Sequence, residues 1–138
     1  NRPIRICGVV KNTGAPGGGP FWTLNDNGYE SLQIIESSQI APESRDIMNK
    51  STHFNPVDLV CGIRDWQGKK FDLTRFIDEK TGFISDKSYA GKPLRAMEKP
   101  GLWNGAMAYW HTIFVNVPNS TFTPVKQVSD LLAPAHTE

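Results

Sequence analysis

The apolar positions fall in short runs set off by turn formers. Ile4-Arg5-Ile6-Cys7-Gly8-Val9-Val10 is rich in β-branched residues and bounded by Pro3 and the polar Lys11-Asn12-Thr13, which predicts a largely buried strand. Gly14-Ala15-Pro16-Gly17-Gly18-Gly19-Pro20 follows and reads as a loop, because glycine raises the entropy cost of order and proline removes backbone donors. Residues 21–24 and 31–37 flank Asn25-Asp26-Asn27-Gly28, whose Asn-Gly step suits positive φ, so a β-hairpin is predicted. Pro42-Glu43-Ser44 opens a short helix over 41–50, with an early acid that suits the helix dipole. Residues 54–63 fit strand and helix templates about equally, and strand is preferred.

Residues 64–100 hold turn signals at Trp66-Gln67-Gly68-Lys69, Lys80-Thr81-Gly82 and Ala90-Gly91-Lys92-Pro93, and read as a hairpin-rich insertion. A strand is predicted within 106–117, where Ile113, Phe114, Val115 and Val117 cluster, and an amphipathic helix over 124–132 from the spacing of Val125, Val128, Leu131 and Leu132. The elements predict one α+β domain over 1–138, mostly β-sheet with a few short helices.

Composition narrows the function classes. With 38% hydrophobic and 21% charged residues the chain suits a packed core, and disorder is excluded. A net charge of +1, from 15 basic and 14 acidic residues, argues against nucleic acid as partner, and no apolar run of membrane-spanning length occurs. Asn1-Arg2-Pro3 has neither an initiator Met nor a signal-peptide core, so a cytoplasmic protein that starts further upstream is expected. Cys7 and Cys61 lie far apart in strand-like runs without zinc-site spacing, which predicts two buried reduced thiols. The four tryptophans are expected mainly in the core; an exposed set of Trp22, Trp66, Trp103 and Trp110 would instead form a stacking platform.

The candidate chemistry is sparse. The loop at 14–20 could cradle a phosphate with its amides, but it lacks the GK[ST] ending of a P-loop and the spacing of a dinucleotide fold, which favours a plain flexible loop. His53, in Thr52-His53-Phe54-Asn55-Pro56, can donate a hydrogen bond to a ligand or serve the structure; no second ligand at metal spacing accompanies it. His111 reads as structural. Glu36 interrupts an uncharged strand, so it either meets hydroxyl donors such as those of a sugar or faces water at an edge. No nucleophile elbow is present.

Three separated stretches resemble the C-terminal half of the UDP-N-acetylglucosamine and UDP-sugar pyrophosphorylases. Cys7-Gly8-Val9-Val10 followed by Ile34-Ile35-Glu36-Ser37-Ser38-Gln39-Ile40 resembles V-G-V-V followed by V-V-E-Y-S-E-I. Met48-Asn49-Lys50-Ser51-Thr52-His53-Phe54 resembles G-N-I-A-N-H-F, and Thr121-Phe122-Thr123-Pro124-Val125-Lys126-Gln127 resembles E-F-S-P-L-K-N. The chain is similar over nearly its whole length to an uncharacterised bacterial family of domains of unknown function, through Pro16-Gly17-Gly18-Gly19-Pro20-Phe21-Trp22, residues 52–62 and residues 100–107.

The pyrophosphorylase resemblance implies the C-terminal portion of a nucleotidyltransferase-like fold, in which a sugar 1-phosphate oxygen attacks the α-phosphorus of a nucleoside triphosphate and Mg²⁺ offsets the developing charge. It implies that Glu36 and Asn49 hydrogen-bond sugar hydroxyls, with His53 beside them. Gly8 would let the ligand approach the backbone, and Lys126 would meet a phosphate oxygen. The nucleotide-gripping loop and metal-binding residues of such enzymes belong to the N-terminal half, so the chain alone is expected to be inactive and without cofactor. Its partners would be the N-terminal remainder of its own protein and a sugar phosphate. Gln39, Met48 and Thr52 depart from the family's residues, which implies a sugar pocket that is altered or has lost its ligand. Two other readings stand beside this one: a non-catalytic carbohydrate- or partner-binding module, and a structural domain whose exposed strands pair with a second copy.

Overall fold

A computed structural model describes residues 1–14, 17–123, 125 and 127–137. It is an α+β structure dominated by strands, as the pattern predicted, and its helical segments are nearly all single 3₁₀ turns. The central strand is β1 (Ile4–Lys11). Its buried positions Arg5, Cys7 and Val9 alternate along one face. The predicted hairpin is β2 (Gly19–Leu24) and β3 (Glu30–Ile35), in register from Gly19↔Ile35 to Leu24↔Glu30. Its loop is held by the Asn25 side chain, whose Oδ1 accepts from the amides of Asn27 at 3.1 Å and Tyr29 at 2.9 Å, while Gly28 takes φ of 78°. Ile34 packs against Cys7 and Val9 to form the core, with Leu59 and Phe114 at its margin.

The predicted helix near 41–50 is a 3₁₀ turn at Pro42–Ser44 running into α1 (Asp46–Asn49). The run at 54–63 is not one strand but two, β4 (His53–Phe54) and β5 (Leu59–Gly62), because Pro56 and Val57, at φ of 68°, break the extended backbone. Both pair antiparallel with β1, and β8 (His111–Asn116) pairs parallel with it. Between β4 and β5 the chain arches over Gly8, whose amide donates to the Asp58 carbonyl and whose carbonyl accepts from Asn55 Nδ2 at 2.6 Å.

Residues 64–100 hold a bridged turn and a hairpin. Arg64 bridges Lys70 around a turn at Gly68, and β6 (Phe83–Tyr89) pairs with β7 (Lys92–Glu98) through a tight turn in which Ala90 and Gly91 both take positive φ. Phe83 meets Trp103 edge to face, tying this hairpin to the body.

Three expectations are corrected. Cys7 is buried but Cys61 is exposed, since β5 carries it where no other element covers it. The C-terminal amphipathic helix is absent from the described part of 124–132. A 3₁₀ turn spans Val128–Leu132, with Val128 84% and Leu132 78% exposed, so no apolar face is buried to stabilise so short a helix. Only Trp110 of the four tryptophans lies in the core; Trp103 is half-buried, while Trp22 and Trp66 are 71% and 81% exposed. No helix among the described residues is long and apolar enough to cross a membrane.

Candidate functional site

The glycine-rich segment, the end of α1 and the start of β4 converge on a polar cleft of about 490 Å³. Gly14, Gly17 and Gly19 line it together with Ser37, Asn49, Ser51 and His53. Local chemistry fixes the frame. The Ser51 hydroxyl donates to the His53 carbonyl at 2.6 Å, Asn12 Oδ1 accepts from the Gly14 amide at 2.9 Å, and the Asn55 amide donates to the Gly18 carbonyl at 2.8 Å. Gly18 and Gly19 are buried, and a Cβ on Gly19 would sit 2.9 Å from the His53 carbonyl oxygen.

Of the residues singled out from sequence, Asn49 and His53 share this cleft. Asn49 is exposed, and its side-chain amide makes no hydrogen bond among the described residues. His53 is half-buried, with Nδ1 2.9 Å from the Thr52 hydroxyl, and Nε2 makes no such bond among the described residues.

Glu36 is not among the described residues that line the cleft; it is the residue before Ser37, which does. Its carboxylate abuts Gly18, where a Cβ would come within 2.9 Å of all three carboxyl atoms, and no cation pairs with it among the described residues. Burial pushes its pKa above the ordinary carboxylate value. Its backbone amide donates to Gln39 Oε1 at 2.9 Å, which holds the strand end in place.

Gly8 stands apart. It is buried under the arch, and a Cβ there would meet Asp58 Cβ at 3.0 Å and Val117 Cγ2 at 3.2 Å, so its need for glycine arises from the chain's own packing. Lys126 lies outside the described residues. Among the described residues no three His, Cys, Asp or Glu side chains gather as a metal site would require.

Sequence reasoning passed over a second feature. Arg5 is fully buried on the core face of β1 and has no carboxylate partner among the described residues. Its Nε donates to Thr112 Oγ1 at 2.9 Å, Nη1 to the Asn104 carbonyl at 2.7 Å and Nη2 to Gln33 Oε1 at 2.8 Å. Asn104 Nδ2 continues to Asn55 Oδ1 at 2.7 Å, so one buried network joins the hairpin, β1, the 104–106 turn and the arch over Gly8. Desolvation pulls the Arg5 pKa below its ordinary value. The signal was a lone cation inside an apolar strand, Ile4-Arg5-Ile6-Cys7.

The family model described as Domain of unknown function (DUF4301) matches residues 1–137. The chain belongs to the DUF4301 family. No curated protein matches it. The cleft and the Arg5 network are therefore features of a DUF4301 domain, and their chemistry has to be read from their own residues.

Proposed function

We propose that the cleft between the glycine-rich segment and α1 binds the sugar of a phosphorylated carbohydrate, as in the substrate half of a nucleotidyltransferase-like protein. The observation that carries this reading is the convergence of Asn49, Ser37, Ser51 and His53 on one polar cleft. Amide, hydroxyl and imidazole groups are donors and acceptors that sugar hydroxyls pair with, and the Asn49 side chain makes no hydrogen bond among the described residues. In the same reading Lys126 meets the phosphate, as the likeness to sugar-nucleotide pyrophosphorylases implies. The chain alone carries out no turnover, and Mg²⁺ belongs with a nucleotide held by another part of the protein.

The test is calorimetric titration of the protein with N-acetylglucosamine 1-phosphate. Asn49→Ala and His53→Ala should each weaken binding roughly three- to tenfold, the worth of one neutral hydrogen bond. Lys126→Met should weaken it by about tenfold or more through loss of a charged contact. Affinity unchanged in Asn49→Ala and His53→Ala would move the sugar out of this cleft.

A further inference from the structure

The β2-β3 hairpin turns one face inward. Trp22 and Leu32 sit opposite each other across it, and alternation along the strands puts both on the side of Ile34, which packs against Cys7 and Val9 in the core. Trp22 is nonetheless 71% exposed. It lines a groove of about 580 Å³ that Leu32, Phe114 of β8 and Ile47 of α1 also line, and Ile47 is itself half exposed. A core-facing tryptophan left uncovered forgoes the gain that burying so large a ring gives.

The groove adjoins the polar cleft, for Ser51 and His53 line both. Beside its apolar residues it carries Lys50 and Asn116, and no carboxylate is among the described residues that line it. Its volume is that of a small-molecule pocket. A pyranose ring matches this mixture. Its C–H bonds, polarised positive by the neighbouring oxygens, stack on the negative π face of an indole, while the hydroxyls at its edge take hydrogen bonds.

We infer that the groove is a second sugar subsite, and that the ligand is a disaccharide 1-phosphate whose first ring lies in the polar cleft and whose second ring passes His53 and stacks on Trp22. Lys50 and Asn116 pair with hydroxyls of that second ring. Occupancy in this form rests on the sugar proposed above for the polar cleft. Trp22 then sets specificity, favouring the longer glycan and leaving the shorter one untouched.

The test is calorimetric titration with N-acetylglucosamine 1-phosphate and with N,N′-diacetylchitobiose 1-phosphate, which differ by the second ring. The disaccharide should bind about three- to tenfold more tightly, the worth of one ring stacked on an indole. Trp22→Ala should abolish that difference and leave the affinity for the monosaccharide unchanged. Trp66→Ala, at a tryptophan that does not line the groove, should alter neither. Both positions are exposed, so both variants should keep the fold, which circular dichroism checks. A disaccharide that binds no tighter than the monosaccharide, or a gain that survives Trp22→Ala, overturns the inference while the polar cleft stands. Disaccharide binding that depends on Trp22 but not on Asn49 keeps the groove and removes the sugar from the polar cleft, and binding of neither compound removes both.

Discussion

Replacing Arg5 with methionine removes the hub of the buried network while keeping a long side chain in the core. Gln33 Oε1, in a residue only 7% exposed, then loses its donor outright, whereas the Asn104 carbonyl, in a residue 5% exposed, keeps the Met107 amide at 3.4 Å. Thr112 is affected less, since its hydroxyl still reaches the Trp110 carbonyl at 3.4 Å. At about 1–3 kcal/mol for the orphaned buried acceptor, with a smaller loss at the Asn104 carbonyl, the cost is roughly 2–4 kcal/mol. Relief from desolvating an unpaired cation and the added apolar burial offset part of it, leaving about 2 kcal/mol. For a chain of this size that lowers the melting temperature by roughly seven degrees. Arg5→Lys should recover little, because an ammonium cannot span acceptors set out for a planar fork. Urea unfolding followed by circular dichroism measures both. An Arg5→Met protein as stable as wild type would refute the claim that the network stabilises the fold.

Further outcomes follow from the cleft's frame. Gly19→Ala should cost about 1–3 kcal/mol and weaken sugar binding, because the added methyl meets the His53 backbone carbonyl, which cannot swing aside; Gly18→Ala, whose nearest contacts are all in the movable Glu36 carboxylate, should cost less, and equal losses in thermal melts would contradict this. The folded Glu36 carboxyl holds its proton to higher pH than the unfolded one, so the native state binds more protons between the two values and stability falls as pH rises through that interval. Glu36→Gln should therefore be more stable than wild type at neutral pH, by less than about 1 kcal/mol because solvent still screens the group. The two proteins should converge below the ordinary carboxylate range, and a difference independent of pH would remove Glu36 as the cause. The same substitution should weaken sugar-phosphate binding, which calorimetry would detect.

Much of the fold was legible because its signals were local. The β1 run, the Asn25–Gly28 turn and the Ala90-Gly91 turn each carry their conformation in adjacent residues, and each element formed where those residues placed it. The division of 54–63 into β4 and β5 was harder to see, since it depends on Val57 adopting positive φ, which a β-branched residue does only when the surrounding packing demands it. The C-terminal helix failed for a related reason: the spacing of Val128, Leu131 and Leu132 describes a face but cannot show whether anything lies against it. Trp22 and Trp66 misled in the same way. At the site, the nearness of Asn49 and His53 was signalled by their closeness in sequence, and the glycine wall by its composition. The Arg5 network was not legible, because its partners Gln33, Asn104 and Thr112 come from three distant segments.

The account rests on the cleft formed by Gly14, Gly17, Ser37, Asn49 and His53, and chemical-shift mapping with N-acetylglucosamine 1-phosphate tests it most directly. Saturable shifts confined to the backbone amides of those residues and to the Asn49 side-chain amide are predicted. Shifts that cluster elsewhere on the protein, or none at saturating ligand, would contradict it.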